Sequence, residues 1–350
     1  MNPRTRRPAA VILLGDITLD IMAPIKSLPN AGEDCLSSQL ELHCGGVAAN
    51  CAISLARWGV PVRLLGAVGR DAFAEVVLRI LRAQGVDVSH VQRRERALTG
   101  IMYIVVTADG ERTFFGSRGA SGMVKPPANH TGCLRGAQAA HFVGYNFLTS
   151  ATASTAEYLL RAMQKIGGAT SLDVGSAPSL EIPRRILQVS RKVDILFVSL
   201  DEARALTGAR SADGAFEALQ RAGAREVIVK LGSRGCLIHE AGRLHRVPSL
   251  PVATVDTTGA GDAFVGAYLQ ARWRGWPASE AALLANAAGA AAAAVVGAGE
   301  MMPGADRILA LLRRARLDRQ WDPVRRKVVD RLNLKVKSRR TPSPGGSSAS

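Results

Sequence analysis

Short apolar runs alternate with helix-length amphipathic segments along most of this 350-residue chain. The first run, Ala10–Leu14, is apolar throughout and stops at Gly15, which is typical of a buried parallel strand that ends in a loop. Similar runs that predict strands lie at 62–68, 139–143, 169–174, 195–199, 227–231 and 237–239. The segments that predict helices lie at 47–58, 72–84, 152–166, 201–206, 212–222 and 260–273. This alternation predicts an α/β fold, a doubly wound and mostly parallel central sheet flanked by helices, with ligands beyond the carboxyl ends of the strands.

Two stretches break the alternation and have the character of hairpins. One is 21–44, which contains Pro24, Pro29 and Gly32, and the other is 100–116, where two strand-like segments flank an Ala-Asp-Gly-Glu turn at 108–111. Strands inserted into a parallel domain form a separate small sheet. We therefore predict a small β-sheet lid over the ligand site, within one domain that spans residues 11–312.

The formal net charge of +16 lies mostly at the two ends of the chain. Residues 311–350 carry 12 basic and 3 acidic side chains, and residues 1–10 add three arginines, which leaves only +4 for residues 11–310. The charge therefore does not require a nucleic-acid-binding fold. We predict a basic, flexible C-terminal extension over 313–350, although Trp321, Val324, Val328 and Leu332 fall at helical spacing. Contact of this tail with nucleic acid or anionic lipid is the weaker alternative.

Cysteine usage and hydropathy exclude two further classes of protein. The five cysteines are odd in number and include no C-x-x-C pair, which argues against a disulfide scaffold and a structural zinc site. The N-terminal apolar stretch is broken by Asp16 and Asp20, and the Ala-rich run at 285–298 is too short and too weakly apolar to span a bilayer. We expect a cytoplasmic protein without a membrane span.

The segment Asp-Thr-Thr-Gly-Ala-Gly-Asp-Ala-Phe at 256–264 carries the strongest chemical signal. The small residues Gly259, Ala260 and Gly261 let backbone N–H groups converge at a helix N-terminus, where the helix dipole favours negative charge. Asp262 beside them can accept a proton from a hydroxyl while the N–H groups stabilise charge on a transferring phosphoryl group. The pattern predicts an anion hole with a general base, although such glycines also occur in plain turns and such an aspartate as a helix cap.

At this point the sequence resembles the ribokinase-like (PfkB) family of carbohydrate kinases, over about residues 11 to 312. Residues 256–264 resemble the family's C-terminal signature, and residues 45–50 (Gly-Gly-Val-Ala-Ala-Asn) with 66–71 (Gly-Ala-Val-Gly-Arg-Asp) resemble its N-terminal one. Two signatures about 200 residues apart and in the right order make the resemblance specific. It implies a central α/β sheet with a small β lid, a sugar beneath the lid, and Asp262 as the catalytic base.

The resemblance also implies which residues bind the sugar. Asp20 matches the ligand of the sugar hydroxyls, a role that suits a carboxylate because it accepts hydrogen bonds from two neighbouring hydroxyls. Gly45 and Gly46 match a diglycine that lets the backbone approach the sugar ring, and Asn50 offers both a donor and an acceptor. Arg118 matches an arginine that faces the substrate, where it would suit a carboxylate, a phosphate or several hydroxyls; a solvated surface arginine is the alternative.

On the nucleotide side, residues 230–235 follow an apolar strand and resemble the family's nucleotide-binding turn. The residues that carry this similarity are Lys230, Gly232, Ser233 and Gly235. The chain has no G-x-x-x-x-G-K-[ST] loop, so ATP would be bound by this alternative arrangement. Asn286, in an Ala-rich helix, matches a position near the adenine or the ribose.

Two cation sites are implied in the same way. Glu202 matches the glutamate of the family's N-x-x-E motif, which is associated with Mg²⁺ held partly through water, but Ser199 stands where the motif has asparagine. Asp256 and Thr258 match a loop that holds a monovalent cation in many relatives.

Together these features predict a kinase that uses ATP and Mg²⁺, with K⁺ as a further candidate cofactor, to phosphorylate a primary hydroxyl of a sugar or sugar acid. Lid strands with exposed apolar faces suggest a homodimer through the lid. Two alternatives stay open. One is a nucleoside kinase of the same fold, whose base fills the lid pocket; the other is a non-catalytic sugar- or nucleotide-binding regulatory protein, suggested by Ser199 and the basic tail.

Overall fold

The computed structural model describes residues 10–109 and 111–340, with side chains described as far as Leu334. The N-terminal arginines, Gly110 of the predicted lid turn and the tail from residue 341 lie outside the described residues. The strands are β1 Ala10–Leu14, β2 Thr18–Pro24, β3 Glu41–Gly45, β4 Val62–Leu65, β5 Ala67–Gly69, β6 Val86–Asp87, β7 Gln92–Arg94, β8 Gly100–Val106, β9 Arg112–Ser117, β10 Ala137–Val143, β11 Ala169–Asp173, β12 Ile195–Ser199, β13 Glu226–Lys230, β14 Cys236–Glu240 and β15 Arg243–Val247. The α-helices are α1 Val47–Arg57, α2 Ala72–Ala83, α3 His130–Leu134, α4 Ser150–Lys165, α5 Ser176–Glu181, α6 Pro183–Ser190, α7 Leu200–Thr207, α8 Ala212–Arg221, α9 Ala260–Arg272, α10 Ala278–Ala293, α11 Ala305–Arg314 and α12 Asp322–Arg340.

The central sheet has nine strands in the order β15-β14-β13-β12-β11-β10-β1-β4-β6. Its strands run parallel from β6 to β13, and β14 and β15 extend it as antiparallel neighbours. Val11 and Leu13 belong to the core on one face of the sheet, and Ile12 and Leu14 to the core on the other. Because both faces are covered, the strand is apolar at every position instead of alternating. The doubly wound, mostly parallel sheet is confirmed.

The predicted lid is a separate four-stranded sheet in the order β3-β2-β8-β9. Each hairpin is antiparallel, and the two hairpins join through parallel pairing of β2 with β8. The apolar run at 62–68 differs from the prediction, because it splits at Gly66 into β4 of the central sheet and β5 of a small two-stranded sheet with β7. A Cβ on Gly66 would lie 2.7 Å from Ile17 Cδ1, so the chain packs tightly where it changes sheet.

The segment after residue 312 corrects the expectation of a flexible extension. Residues 322–340 form α12, and Trp321, Val328 and Leu332 are buried in the same core as α10 and α11. Arg331 Nε lies 2.7 Å from the buried Glu280 Oε2, and its guanidinium lies 5.1 Å from the centre of the Trp276 ring. The helical spacing noted in the sequence therefore marks a packed face, and the folded domain continues past 312 to at least residue 334.

Two observations concern the expected absence of a membrane span and of disulfides. Within residues 10–109 and 111–340, no helix is both long and apolar enough to cross a bilayer. All five cysteines are free thiols, and only Cys35 is exposed.

Candidate active site

Asp262 lies in the first turn of α9, which is preceded by Gly259 in a left-handed conformation with φ 72°. Asp262 Oδ2 accepts a hydrogen bond from Asn50 Nδ2 at 2.9 Å, and Asn50 Oδ1 accepts one from the Gly299 N–H at 3.1 Å. The second bond fixes the amide of Asn50 so that its NH₂ group faces Asp262. Burial raises the pKa of Asp262 to about 7, with the negative charge of Asp173 adding to the effect. A carboxyl with that pKa is suited to accept a proton near neutral pH.

At the N-terminus of α9, the backbone leaves two of the three predicted anion-hole residues with available N–H groups. The Ala260 N–H donates to Thr257 O at 3.1 Å and is used in the turn itself. The N–H groups of Gly261 and Asp262 belong to the first helical turn, where the helix supplies no acceptor four residues back. A Cβ on Gly261 would lie 3.6 Å from Lys230 Nζ, so an ammonium group stands beside these donors. Together they favour an anion at this point.

Lys230 stands among three buried carboxylates at the carboxyl ends of the strands. Its Nζ donates to Asp173 Oδ1 at 2.8 Å. Burial alone would lower the pKa of Lys230, but the negative charges of Asp173 and Glu202 raise it above its usual value. Lys230 thus interacts with the charges of Asp173, Glu202 and Asp262. Within residues 10–109 and 111–340, however, no three acidic, histidine or cysteine side chains lie close enough together to hold a metal ion by themselves.

Ser199 and Glu202 act together as a capping box at the start of α7. The Ser199 N–H donates to Glu202 Oε2 at 2.8 Å, and the Glu202 N–H donates to Ser199 Oγ at 3.2 Å. Burial raises the pKa of Glu202. Ser199, which stands where the family motif has asparagine, therefore still fixes the backbone and the orientation of Glu202. The other carboxylate oxygen of Glu202, Oε1, takes no part in these two hydrogen bonds.

A cavity of about 610 Å³ opens next to the anion hole. Five residues predicted to bind the nucleotide line it, together with two of the anion hole: Lys230, Gly232, Ser233, Gly235 and Asn286, with Ala260 and Gly261. Asn286 Nδ2 donates to Val247 O and Pro248 O, both at 3.1 Å, so this amide holds the wall formed by the chain after β15. The volume is in the range of small-molecule and cofactor sites.

Four of the five residues predicted to bind the sugar, Asp20, Gly45, Gly46 and Asn50, lie on the lid strands β2 and β3 and at the start of α1. Asp20 lies on β2 opposite His43 of β3, and burial raises the pKa of Asp20 to about 6. A Cβ on Gly45 would overlap the Asp20 carboxylate, and a Cβ on Gly46, where φ is 95°, would overlap Asp16 O. Asn50 follows in the first turn of α1 and reaches Asp262. The diglycine is thus required by close approach of the chain to two acidic residues.

Replacing Gly45 by alanine tests this arrangement directly. Because the new methyl group overlaps the Asp20 carboxylate, we expect that carboxylate to be displaced. For the role predicted for Asp20, this displacement raises the KM for sugar about 10-fold or more and leaves the KM for ATP unchanged. Steady-state kinetics with each substrate varied in turn measures both values. Gly304→Ala is a matched control for glycine loss in open space, since no atom lies within 4 Å of its Cβ position and its φ of −80° is one that alanine adopts. An unchanged KM for sugar in Gly45→Ala would contradict the placement of Asp20.

The guanidinium of Arg118, which was predicted to face the substrate, forms hydrogen bonds within the protein. Its Nε and Nη2 donate to Asp16 Oδ2 and Oδ1 at 2.8 and 2.7 Å, and Nη2 also donates to Tyr145 O at 3.0 Å. The guanidinium lies 5.6 Å from the centre of the Tyr145 ring. Its planar fork is therefore satisfied by an internal carboxylate.

The predicted monovalent-cation loop is held by a lid side chain. Arg112 Nη1 donates to Asp256 Oδ1 and, at 3.1 Å, to Thr258 Oγ1. Asp256 Oδ2 accepts the Gly297 N–H at 2.7 Å, and this bond and that from Thr258 N–H keep the pKa of Asp256 low in spite of burial. Both oxygens of Asp256 are engaged and a guanidinium already supplies positive charge. The side-chain oxygens of Asp256 and Thr258 are therefore hydrogen-bonded beside a guanidinium, which does not fit a role as K⁺ ligands.

Sequence reasoning missed a contact that joins the lid to the catalytic residues. His43 Nδ1 lies 2.8 Å from Glu300 Oε1, His43 Nε2 lies 3.1 Å from Glu41 Oε2, and the Cys44 N–H donates to Glu300 Oε2 at 3.3 Å. The hydrogen bond to Glu300 raises the pKa of His43 to about 8. Glu300 follows Gly299, whose N–H donates to Asn50. The short turn at 299–301 therefore contacts both β3 of the lid and Asn50, the hydrogen-bond partner of Asp262.

A helix N-terminus, a buried carboxylate with a raised pKa and a cavity lined in part by Lys230 lie together on a doubly wound sheet, a combination chemically suited to phosphoryl transfer. The family model described as pfkB family carbohydrate kinase matches residues 9–305. The chain belongs to this family, and the protein is a carbohydrate kinase with a ribokinase-like fold.

Individual relatives agree with this assignment. Fructokinase-1 of Zea mays is 33% identical over 325 residues, which cover 87% of this chain and 98% of the relative. ATP-dependent ribose-1-phosphate kinase of Halopiger xanaduensis is 31% identical over 307 residues, covering 86% and 97%. Among solved structures, Arabidopsis thaliana ribokinase complexed with ribose and ATP superposes with a TM-score of 0.76 at 26% identity, covering 87% of this chain and 98% of that one.

Proposed function

We propose that the protein transfers the γ-phosphoryl group of ATP to a primary hydroxyl of a sugar or sugar acid, with Asp262 as the general base. The observation that carries the proposal is the position of Asp262. A hydrogen bond from Asn50 joins Asp262 to the residues on the sugar side. Asp262 also lies in the first turn of α9, next to Ala260 and Gly261, which line the 610 Å³ cavity. A hydroxyl bound there would meet a proton acceptor and an anion hole at the same point.

The transfer follows from these positions. Asp20 and Asn50 hold sugar hydroxyls, and Asp262 takes the proton of the attacking hydroxyl as its oxygen bonds to the γ-phosphorus and the bond to the β-phosphate oxygen breaks. The N–H groups of Gly261 and Asp262, with Lys230, stabilise the charge on the transferring group. The lid over the sugar excludes water, which would otherwise compete as acceptor.

In this proposal, Mg²⁺ binds beside Lys230, near the carboxylates of Asp173, Glu202 and Asp262. Glu202 would hold the ion, through water, with Asp173 and Asp262 adding negative charge, and the ion would neutralise phosphate charge when bound. Lys230, Gly232, Ser233, Gly235 and Asn286 would contact ATP from the cavity wall.

A screen of acceptors tests the proposal and separates the alternatives. ADP release would be followed with fructose, ribose, 2-dehydro-3-deoxygluconate, adenosine and cytidine, each with Mg²⁺ and ATP. Acceptor-dependent release with a sugar supports the proposal. Release only with adenosine or cytidine would indicate a nucleoside kinase, and tight binding of sugar and ATP without turnover would indicate a regulatory binding protein.

We also propose a homodimer through the outer face of the lid. Leu42, Tyr103 and Phe115, which are 47%, 38% and 58% exposed, lie in one row across the lid sheet, with the half-buried Ile21 between Leu42 and Tyr103. Exposed apolar side chains in one row of a sheet favour pairing with a like surface. Light scattering of the wild type and of Phe115→Asp distinguishes a dimer from a monomer.

A cytoplasmic location is consistent with the five free thiols.

A further inference from the structure

We infer that the acceptor is a neutral sugar, and that sugar acids and sugar phosphates are excluded by the charge of the site. This inference rests on the proposed function and narrows its substrate class. It matters because relatives of this chain include both a fructokinase, whose name implies a neutral acceptor, and a ribose-1-phosphate kinase, whose name implies an anionic one.

The first argument is that the arginine best placed to bind an anionic substrate already has an anionic partner. Arg118 makes a two-bond pair with Asp16, and the Asp16 side chain is only 10% exposed. Because Nε and Nη2 are engaged by Asp16 and by Tyr145 O, a substrate carboxylate could form a two-bond pair with this guanidinium only by displacing one of these partners. Displacement of Asp16 would leave a buried, unpaired carboxylate next to Gly46, which costs far more than a surface pair gains.

The second argument is that the lid adds negative charge beside the sugar. His43 is the one cation in the strand that faces Asp20, and it is shared by Glu41 and Glu300. Asp20, Glu41 and Glu300 therefore outnumber the single positive charge that His43 carries when protonated. An additional carboxylate or phosphate would meet a region of like charge.

The third argument concerns the remaining cations of the elements that build the site, within the described part of the chain. Arg112 pairs with Asp256 and Lys230 with Asp173. Arg57 donates to Gln84 Oε1 and to the carbonyl oxygens of Glu300 and Met302. Each of these three positive groups has a partner inside the protein, and Lys230 also faces the phosphoryl group in the proposed reaction. Arg234, in the 230–235 turn, is exposed and lies on the nucleotide side.

Neutral hydroxyls, in contrast, match what the site offers. Asp20 accepts hydrogen bonds, and the small backbone surface at Gly45 and Gly46 lets a ring approach closely. A neutral ligand satisfies these groups without bringing a second charge into a buried, acidic pocket. The selection is therefore mainly against anions, by repulsion and by the cost of an unpaired buried charge.

The test compares kcat/KM for fructose with that for 2-dehydro-3-deoxygluconate and for ribose 1-phosphate in the full-length enzyme. We expect the neutral sugar to be preferred by at least about 100-fold. Asp16→Asn, which frees the guanidinium of Arg118, is expected to raise the relative kcat/KM of the acid at least about 10-fold. Asp213→Asn is the matched control and should leave the ratio unchanged, because Asp213 of α8 forms an exposed ion pair with Arg246 of β15.

The outcomes separate this inference from the proposed function. A wild-type preference for either anionic acceptor overturns the inference while the kinase assignment stands, and this comparison does not depend on the folding of any variant. If no acceptor is turned over, the proposed function fails, and calorimetry with ADP present still decides the inference. Tighter binding of fructose supports it, and tighter binding of the acid or phosphate overturns it. An unaltered ratio in a folded Asp16→Asn enzyme also contradicts it.

Discussion

Replacing Asp262 by asparagine is expected to lower kcat by about 10²–10⁴-fold, because the amide cannot take the proton of the attacking hydroxyl. The change keeps the size of the side chain and an oxygen for the Asn50 hydrogen bond, so substrate binding should be nearly unaffected. Sugar-dependent ADP formation measures the loss, and the KM values show whether binding is retained. Asp213→Asn serves as the control for loss of a carboxylate from a first helical turn, and it should have wild-type activity.

The stability of Asp262→Asn separates a catalytic role from a structural one. Burial raises the pKa of Asp262 from 3.8 to about 7, so the folded protein binds this proton more tightly than the unfolded chain does. The stabilising effect of protonation is complete below about pH 4 and is lost as pH rises through about 7. At pH 8 the ionised, buried carboxylate is unfavourable, and the neutral amide should leave Tm unchanged or raise it. An active Asp262→Asn enzyme, or an unfolded one, would contradict the assigned role.

Truncating the chain after Leu317 is expected to destabilise the protein by about 5 kcal/mol, enough to prevent stable folding of many domains. The cut removes Trp321, Val328 and Leu332, which are 4%, 0% and 0% exposed, and uncovers the surface of α10 and α11 beneath them. It also leaves the buried Glu280 without Arg331. Urea unfolding of the truncated and full-length proteins measures the difference.

Single substitutions make the same test in a protein that still folds. Val328→Ala should cost about 2 kcal/mol, because it leaves a cavity at a fully buried position of α12. Leu334→Ala on the same helix is the matched control, since Leu334 is 71% exposed and its loss should change stability by less than about 0.5 kcal/mol. Equal unfolding midpoints for Val328→Ala and wild type would show that α12 does not stabilise the domain.

The elements buried on both faces of the central sheet could be predicted from the sequence. β1 and β12 coincide with the predicted runs, since an uninterrupted apolar stretch ending at a glycine or polar residue has few other readings in an α/β protein. Strands with partly exposed, charged faces could not be found in this way, and β15, Arg243–Val247, is such a strand. The packing of α12 was also out of reach, because spacing shows an apolar face but not what covers it.

The candidate site divides along a similar line. The backbone of one local motif, Gly259 to Asp262, could be predicted, because the left-handed glycine and the helix start depend on the same few positions. Asp173 was missed although a carboxylate that ends a buried strand at the ligand edge is a usable signal. The pairs Arg112–Asp256 and His43–Glu300 join residues 144 and 257 positions apart, and only the fold brings them together.

The pH dependence of kcat/KM for the sugar, at saturating Mg²⁺ and ATP, tests the central claim most directly. If Asp262 is the base, the value should rise about 10-fold per pH unit below about pH 7 and level off above it, because only the ionised carboxylate accepts the proton. Asp20 and His43 have pKa values of about 6 and 8 and can also affect the profile. The profile is therefore measured again with Asp262→Asn, whose residual kcat/KM should no longer rise with pH near pH 7. A flat wild-type profile between pH 5.5 and 8, or the same rising limb near pH 7 in Asp262→Asn, would contradict the account.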